Sequence, residues 1–225
     1  MYIRDTLVDG VGPWTVFDIS PGEGTWDIIV QGWHEIRSNL HLVTDNFDTV
    51  VQAGGHQGLY PRCLSSIFQE VYTFEPHLDN FACLTANCNL PNIHKFNSAL
   101  GKQTGTIWLE EVGTSGQHRI WDESINRPVY PIQVKQRIPV PVTTIDSQQL
   151  THCSLILLDV EGHELEVLMG AAQTIEKFHP GIIVERSFFD STTDEVDSWL
   201  TSHGYTFVHR TEMDRYYSYN INSSS

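Results

Sequence analysis

Short apolar runs alternate with amphipathic stretches along most of this chain, from about residue 48 onwards. The continuous apolar runs at 49–51, 155–160 and 181–185 are typical of strands that are buried on both faces of a parallel sheet. The stretches 161–178 and 192–203 instead repeat apolar residues at helical spacing, with a break expected near Gly170. Because strands alternate with helices, we predict an α/β fold whose mostly parallel sheet is covered on both faces.

The other elements follow from the same patterns. We predict further strands at 71–75, 92–99, 104–111 and 138–142, and helices at 28–43, 59–68, 76–89 and 143–150. Pro139 and Pro141 confine their strand to an edge, because proline has no N–H for a second neighbour. The polar stretch 113–134, with His118, Arg119 and Trp121, is predicted to be a surface loop that could also cover an acceptor. The last runs, 205–210 and 215–221, are predicted to close the sheet as an antiparallel pair.

Composition and charge narrow the class of protein. The chain has 225 residues, of which 40 % are apolar and 18 % charged, so it is expected to fold around one sizeable core rather than remain disordered. Its formal net charge is −15. Phosphate backbones and anionic membranes need a surplus of lysine and arginine, so neither is expected as a partner. A neutral or cationic small acceptor fits this charge better.

Targeting signals are not expected. Residues 1–10 contain Arg4, Asp5 and Asp9 and no apolar core of a signal peptide, and no window approaches the length of a membrane span. The four cysteines are Cys63, Cys83, Cys88 and Cys153, and none forms a C-x-x-C pair. We therefore expect free thiols in a reducing compartment, and a soluble, cytoplasmic protein.

A glycine loop and a carboxylate mark a candidate nucleotide site. Gly54, Gly55 and Gly58 lie between a predicted strand and a predicted helix, and Glu75 ends the next strand about 20 residues on. Glycines let a backbone turn tightly or approach a ligand closely, and a carboxylate at this position can accept hydrogen bonds from two ribose hydroxyls. The alternative is a tight strand-to-helix turn with no ligand. This pair of features fits a dinucleotide and S-adenosylmethionine (SAM) equally well.

Five segments of the chain are more specific than these two features. Residues 157–168, LLDVEGHELEVL, resemble the D-x-E-G-x-E-x-x-x-L signature of the FkbM-type methyltransferases, a SAM-dependent class I family. Residues 51–58, VQAGGHQG, are similar to the V-x-D-x-G-A-N-x-G loop of that family, and residues 74–76, FEP, to its ribose-binding turn. Residues 140–146, VPVTTID, resemble its V-x-V-x-x-L-D segment, and residues 97–101, NSALG, the segment after its third strand.

The resemblance implies a fold and a set of cofactor residues. The fold would be Rossmann-like and doubly wound, with a mostly parallel seven-stranded sheet and a C-terminal antiparallel strand pair. The implied SAM-binding residues are Gln52, Gly54, Gly55, His56, Gly58, Glu75, Pro76, Ser98, Ala99 and Asp159. Gln52 departs from the usual acidic residue of the loop, and Gly55 and His56 replace its alanine and asparagine.

The candidate catalytic residues are Asp159, Glu161, Glu185 and His163. Asp159 and Glu161 would share one face if the strand continued through both, and their repulsion could raise one pKa and make a base. The alternatives are a helix cap for Glu161, an ion pair with Arg186 for Glu185, and a surface position for His163. No metal site is expected, because no H-x-x-x-H or H-x-H spacing occurs.

The expected function is SAM-dependent methylation, as the resemblance implies, of a hydroxyl on a small-molecule or carbohydrate-type acceptor. Two alternatives remain at this point: a degenerate methyltransferase fold that acts as a binding module, which Gln52 motivates, and an NAD-binding oxidoreductase. Residues 1–47 are assigned to a lead-in or lid segment, 48–220 to the methyltransferase domain, and 221–225 to a frayed tail.

Overall fold

The computed structural model describes residues 2–16, 23–113, 115–121, 134–185 and 190–220, so the tail 221–225 and Arg186 lie outside it. The strands are β1 Tyr2–Arg4, β2 Trp14–Val16, β3 Thr49–Ala53, β4 Glu70–Phe74, β5 Ile93–Phe96, β6 Ala99–Leu100, β7 Gly105–Val112, β8 Arg119–Trp121, β9 Val134–Thr143, β10 Leu155–Leu158, β11 Gly181–Glu185, β12 Tyr205–Arg210 and β13 Asp214–Tyr219. The α-helices are α1 Glu23–Asn39, α2 Leu59–Leu64, α3 Leu78–Asn87, α4 Glu164–Met169, α5 Ala172–Phe178 and α6 Asp190–Ser202. Short 3-10 helices lie at Leu40–Leu42, Ser115–Gln117 and Asp146–Gln148.

The main sheet has seven strands in the order β12-β13-β11-β10-β3-β4-β5. From β11 to β5 all neighbours are parallel, and β13 runs antiparallel to both β11 and β12. The predicted α/β class and the C-terminal antiparallel strands are thus present. Because β3, β4, β10 and β11 are parallel, their carboxyl ends share one edge of the sheet.

Helices cover both faces of this sheet. Neighbouring residues of a strand point to opposite faces, so Val50 and Leu155 join one core cluster with α1, α2 and α3, while Val51 and Ile156 join another with α4, α5 and α6. Strands buried on both sides explain the continuous apolar runs in the sequence. All four cysteines are buried free thiols, as expected.

A second sheet was not anticipated. Its four strands are ordered β6-β9-β7-β8, and it has its own small core of Ala99, Leu109, Ile120, Val140 and Val142. The predicted strands 104–111 and 138–142 belong here and not to the main sheet. Strand β9 pairs with β7 along most of its length, but with β6 only at its end. Its two prolines therefore lie where the other side of β9 is unpaired within the described residues, which agrees with the rule that predicted an edge.

Several boundaries differ from the sequence predictions. The predicted loop 113–134 contains a 3-10 turn and β8, and its residues 122–133 lie outside the description. The first long helix starts five residues earlier than predicted, at Glu23. The helix predicted at 161–178 begins at Glu164 and is interrupted at Gly170, as expected. Among the described helices, none is long and apolar enough to cross a membrane.

Candidate active site

A cavity of about 420 Å³ opens where β3, β4, β10 and β11 end. This volume lies in the range of small-molecule sites. Residues after these strands form one side, and Leu109 and Ile120 of the second sheet form part of the other. Ile28 and Ile29 of α1 also line it. Of the predicted site residues, ten line the cavity: Gly54, Gly55, His56, Glu75, Pro76, Ala99, Asp159, Glu161, His163 and Glu185. Gln52, Gly58 and Ser98 do not.

Packing within the chain accounts for the glycines of the loop. A Cβ on Gly54 would lie 1.8 Å from the carbonyl oxygen of Asp159, and one on Gly55 would lie 2.4 Å from a methyl carbon of Leu84. Gly54 and Gly58 also have positive φ angles, 81° and 92°, which favour glycine. A side chain at these positions would therefore displace the loop from the edge of β10, whether or not a ligand is bound.

Glu75 follows β4 and is held by the loop opposite it. One carboxylate oxygen accepts a hydrogen bond from the backbone N–H of His56 at 2.8 Å, and the other from the N–H of His77 at 2.8 Å. The side chain of Asn80 donates a third. Burial raises the pKa of Glu75 to about 7, and these hydrogen bonds oppose that rise. Since a carboxylate has about four acceptor positions, one remains for a ligand.

Gln52 holds the loop from behind and is fully buried. Its amide nitrogen donates to the carbonyl oxygens of Ala53 at 3.1 Å and Gly54 at 2.8 Å, and its oxygen accepts from the Thr73 hydroxyl at 2.6 Å. A carboxylate could not donate to those two carbonyls. A glutamine in place of the usual acidic residue therefore suits the two carbonyl oxygens beside it.

Three carboxyl groups meet at the ends of β10 and β11, which β3 separates from the strand that precedes Glu75. Asp159 follows β10, Glu185 ends β11, and carboxyl oxygens of these two and of Glu161 lie within 4.8 Å of one another. The strand ends at Leu158, so strand alternation does not bring Asp159 and Glu161 together, contrary to the sequence argument. A left-handed turn does so instead, with φ of 55° at Glu161 and 93° at Gly162.

Asp159 and Glu185 share a hydrogen bond. Burial raises the pKa of both groups, and the charges of Asp159 and Glu161 raise that of Glu185 further. Such a pair holds one proton between two carboxyls. Three carboxylates could also serve as ligands of a hard cation, but that cation would have to displace this proton.

The structure does not support the two alternative interpretations, a helix cap for Glu161 and a surface position for His163. The N-cap position of α4 is His163, and the carboxylate of Glu164 accepts from the N–H of Gly162 at 3.0 Å. Glu161 therefore precedes the cap by two residues. His163 is buried, 2 % exposed, and its Nδ1 lies 3.6 Å from a carboxylate oxygen of Glu166, so the alternative of a surface position is wrong.

Sequence reasoning missed several cavity residues. Tyr60 of α2 lines the cavity, and burial together with the charges of Asp159 and Glu185 raises the pKa of its hydroxyl. His118 lines it from the turn before β8, and burial together with its neighbours lowers the pKa values of His118 and His56 to about 4. In the sequence, His118 within the polar stretch 113–134 was the feature that indicated this wall of the cavity. The described lining thus combines four carboxyl groups with no lysine or arginine.

Comparisons with known proteins identify the family of the chain. The model of the methyltransferase FkbM domain matches residues 52–207. The hexuronic acid methyltransferase AglP of Haloferax volcanii is 24 % identical over 189 residues, which cover 81 % of this chain and 75 % of that protein.

Two solved structures resemble the fold. Methyltransferase FkbM from Methylobacillus flagellatus KT superposes with a TM-score of 0.54 at 17 % identity, over 76 % of this chain and 43 % of that chain, so this chain spans less than half of that protein. The ribosomal protein L11 methylase from Lactobacillus delbrueckii subsp. bulgaricus has a TM-score of 0.50 at 8 % identity, over 85 % of this chain and 79 % of that one.

Proposed function

The chain belongs to the FkbM methyltransferase domain family, and from this premise we propose that it methylates a hydroxyl of a carbohydrate-type acceptor with SAM. The observation that carries the proposal is the presence of two carboxyl sites in one cavity: Glu75, held by backbone N–H groups, and the proton-sharing pair of Asp159 and Glu185. The first suits a ribose and the second a reacting hydroxyl.

The cavity residues fit SAM. When bound, SAM supplies a methyl group already activated by a positively charged sulfonium. Glu75 would accept a ribose hydroxyl at its remaining acceptor position. Gly54, Gly55 and His56, with Pro76 and Ala99, would line the cofactor side. The four carboxyl groups of the lining favour a cation, because opposite charges attract strongly where water is excluded.

Asp159 is proposed as the general base. The acceptor hydroxyl must lose its proton as the new bond to carbon forms, and a base whose pKa is raised towards neutrality is suited to accept it. Burial raises the pKa of Asp159, while the hydrogen bond from Glu185 keeps the aspartate as the ionised member of the pair. Glu161 and His163 line the same space and would position the acceptor.

The acceptor class rests on one relative. AglP is named for hexuronic acid, and a sugar offers several hydroxyls. Ile28 and Ile29 of α1 line the cavity, which supports the assignment of residues 1–47 as a segment that covers the domain at 48–220. The alternative of a degenerate binding module depended on Gln52, and the hydrogen bonds of Gln52 to the loop weigh against it.

Calorimetry with S-adenosylhomocysteine (SAH), SAM and NAD tests the cofactor assignment. We expect SAH and SAM to bind in the micromolar range, about −8 kcal/mol, and NAD not to bind. Transfer of a tritiated methyl group from SAM to glucuronic acid and to its neutral counterpart glucose then tests the acceptor class. Binding of NAD without SAH would support the oxidoreductase, and binding of none would support the binding module.

A further inference from the structure

The outer face of the second sheet carries two tryptophans. Directly opposed residues of adjacent strands share a face, and Trp108 of β7 lies opposite Trp121 of β8. Two residues further along β7, on the same face, Glu110 lies opposite both Arg119 of β8 and Arg137 of β9. We call Trp108, Glu110, Arg119, Trp121 and Arg137 the tryptophan face.

The side chains of the tryptophan face are held in place yet partly open. Trp108 is 47 % exposed. The guanidinium of Arg137 lies 4.1 Å from the centre of the Trp121 ring, and the side chain of Arg137 is about half exposed. A flat indole beside an ordered cation is a surface on which a ligand can stack and also pair its charge.

The charge of this face differs from that of the chain. Glu110 is 4 % exposed and accepts hydrogen bonds from Arg119 at 2.9 Å and from Arg137 at 2.9 and 3.1 Å. Two guanidinium groups against one carboxylate leave a local charge of +1, whereas the chain carries −15. The Nη1 of Arg119 is buried and has no hydrogen-bond partner among the described residues. Because that nitrogen is buried, the donor that an anion at the surface can reach is Arg137, whose side chain is about half exposed.

The tryptophan face and the cavity lie on opposite sides of strands β7 and β8. Leu109 lies between Trp108 and Glu110, Ile120 lies between Arg119 and Trp121, and both line the cavity from the opposite side. Within the described residues β8 is the edge strand of the second sheet. A chain of sugars that leaves the cavity past β8 would therefore reach Trp121 without crossing another of the described strands.

We propose that the tryptophan face binds an acidic sugar unit of an extended acceptor, next to the unit that is methylated in the cavity. The proposal rests on the proposed function. The apolar face of the sugar ring stacks on Trp108, and its carboxylate pairs with Arg137, whose planar guanidinium group matches a carboxylate. This arrangement keeps the carboxylate away from the four carboxyl groups that line the cavity.

The test uses a hyaluronan tetrasaccharide, in which glucuronate alternates with a neutral sugar, and chitotetraose as the uncharged comparison. By calorimetry, we expect Trp108→Ala to weaken binding of the hyaluronan fragment at least about tenfold, and Trp108→Phe to retain most of it. Arg137→Gln should remove the preference for the acidic fragment. The matched control is Phe207→Ala, because Phe207 is also 47 % exposed and lies 5.6 Å from a guanidinium, that of Arg215.

The proposal is overturned if the wild type does not bind the hyaluronan fragment, if Trp108→Ala binds it normally, or if Phe207→Ala weakens it equally. SAH affinity is measured on the same samples, and we expect all four variants to retain it. Loss of fragment binding with normal SAH affinity would reject the tryptophan face alone. Failure of the wild type to bind SAH would reject the proposed function, and the result with the hyaluronan fragment would still decide the face.

Discussion

The two carboxyl sites of the cavity differ in burial and in how they are stabilised: Glu75 is buried, whereas Asp159 and Glu185 are partly exposed. Glu75 is held by two backbone N–H groups and the Asn80 side chain, whereas Asp159 is held by the carboxyl of Glu185. Fixed donors favour a carboxylate that accepts hydrogen bonds from a bound ligand. A shared proton favours a group that can exchange a proton during a reaction. The proposed function accordingly gives Glu75 a binding role and Asp159 a chemical one.

The largest effect should come from Asp159→Asn. The amide keeps the size of the carboxyl but cannot take a proton, so we expect kcat to fall about a thousandfold, as for loss of a general base. SAH affinity should stay within about tenfold, because Glu75 lies elsewhere in the cavity. Radiolabelled methyl transfer and calorimetry measure the two quantities. A fully active variant would remove Asp159 from the mechanism.

Glu75→Ala should weaken cofactor binding, whereas Asp159→Asn should slow the reaction. It removes the ribose hydrogen bond and leaves the N–H groups of His56 and His77 without their acceptor. We expect SAH affinity to fall about a hundredfold, since a hydrogen bond to a charged group contributes about 1.5–3 kcal/mol. The control is Glu70→Ala, because Glu70 begins the same strand but its side chain is 47 % exposed. Unchanged affinity for SAH would refute the ribose assignment.

The positions of these carboxyl groups were predictable because each one ends or follows a strand that the sequence predicts. The run 155–160 marks a buried parallel strand, and the end of such a strand places Asp159 at the ligand edge. Gln52 is not among the residues that line the cavity. It is paired with Thr73 of β4, so the two side chains lie on the same face of the sheet, where the Thr73 hydroxyl donates to the Gln52 oxygen.

The second sheet was not predictable in the same way. Strand β6 has two residues, and β7 and β9 are separated in sequence by β8 and by residues outside the description. Local periodicity indicates that these segments are strands, but not which sheet they join. The wall of the cavity formed by Leu109, His118 and Ile120 depends on that pairing. For this reason the acceptor side was harder to infer than the cofactor side.

The pH dependence of stability tests the raised pKa of Glu75. Its pKa is raised from 4.5 to about 7, so the folded state binds the proton more tightly. The stability this contributes is complete below pH 4.5 and is lost as the pH rises to about 7. For the empty protein we expect the free energy of unfolding to fall by about 2 kcal/mol between pH 5 and 8 through Glu75 alone. Burial raises the pKa values of Asp159, Glu164, Glu185 and Asp214 as well, which acts in the same direction.

Urea unfolding at pH 5 and 8 measures this dependence. Glu75→Gln should reduce the difference between the two pH values by about 2 kcal/mol, because the amide does not titrate. Glu176→Gln, on the exposed side of α5, should leave the difference unchanged. A wild type that is more stable at pH 8 than at pH 5 would contradict the raised pKa.

The smallest effect is expected from Glu185→Gln, and it is the most specific to the shared proton. A glutamine amide donates to Asp159 as the protonated glutamic acid does, so kcat should fall less than about tenfold. The acid limb of the pH profile should stay in place, because the hydrogen bond that lowers the pKa of Asp159 is kept. Glu185→Ala removes that donor, so the pKa of Asp159 should rise and the limb should move to higher pH. If the two variants have the same profile, Glu185 does not position the proton of Asp159.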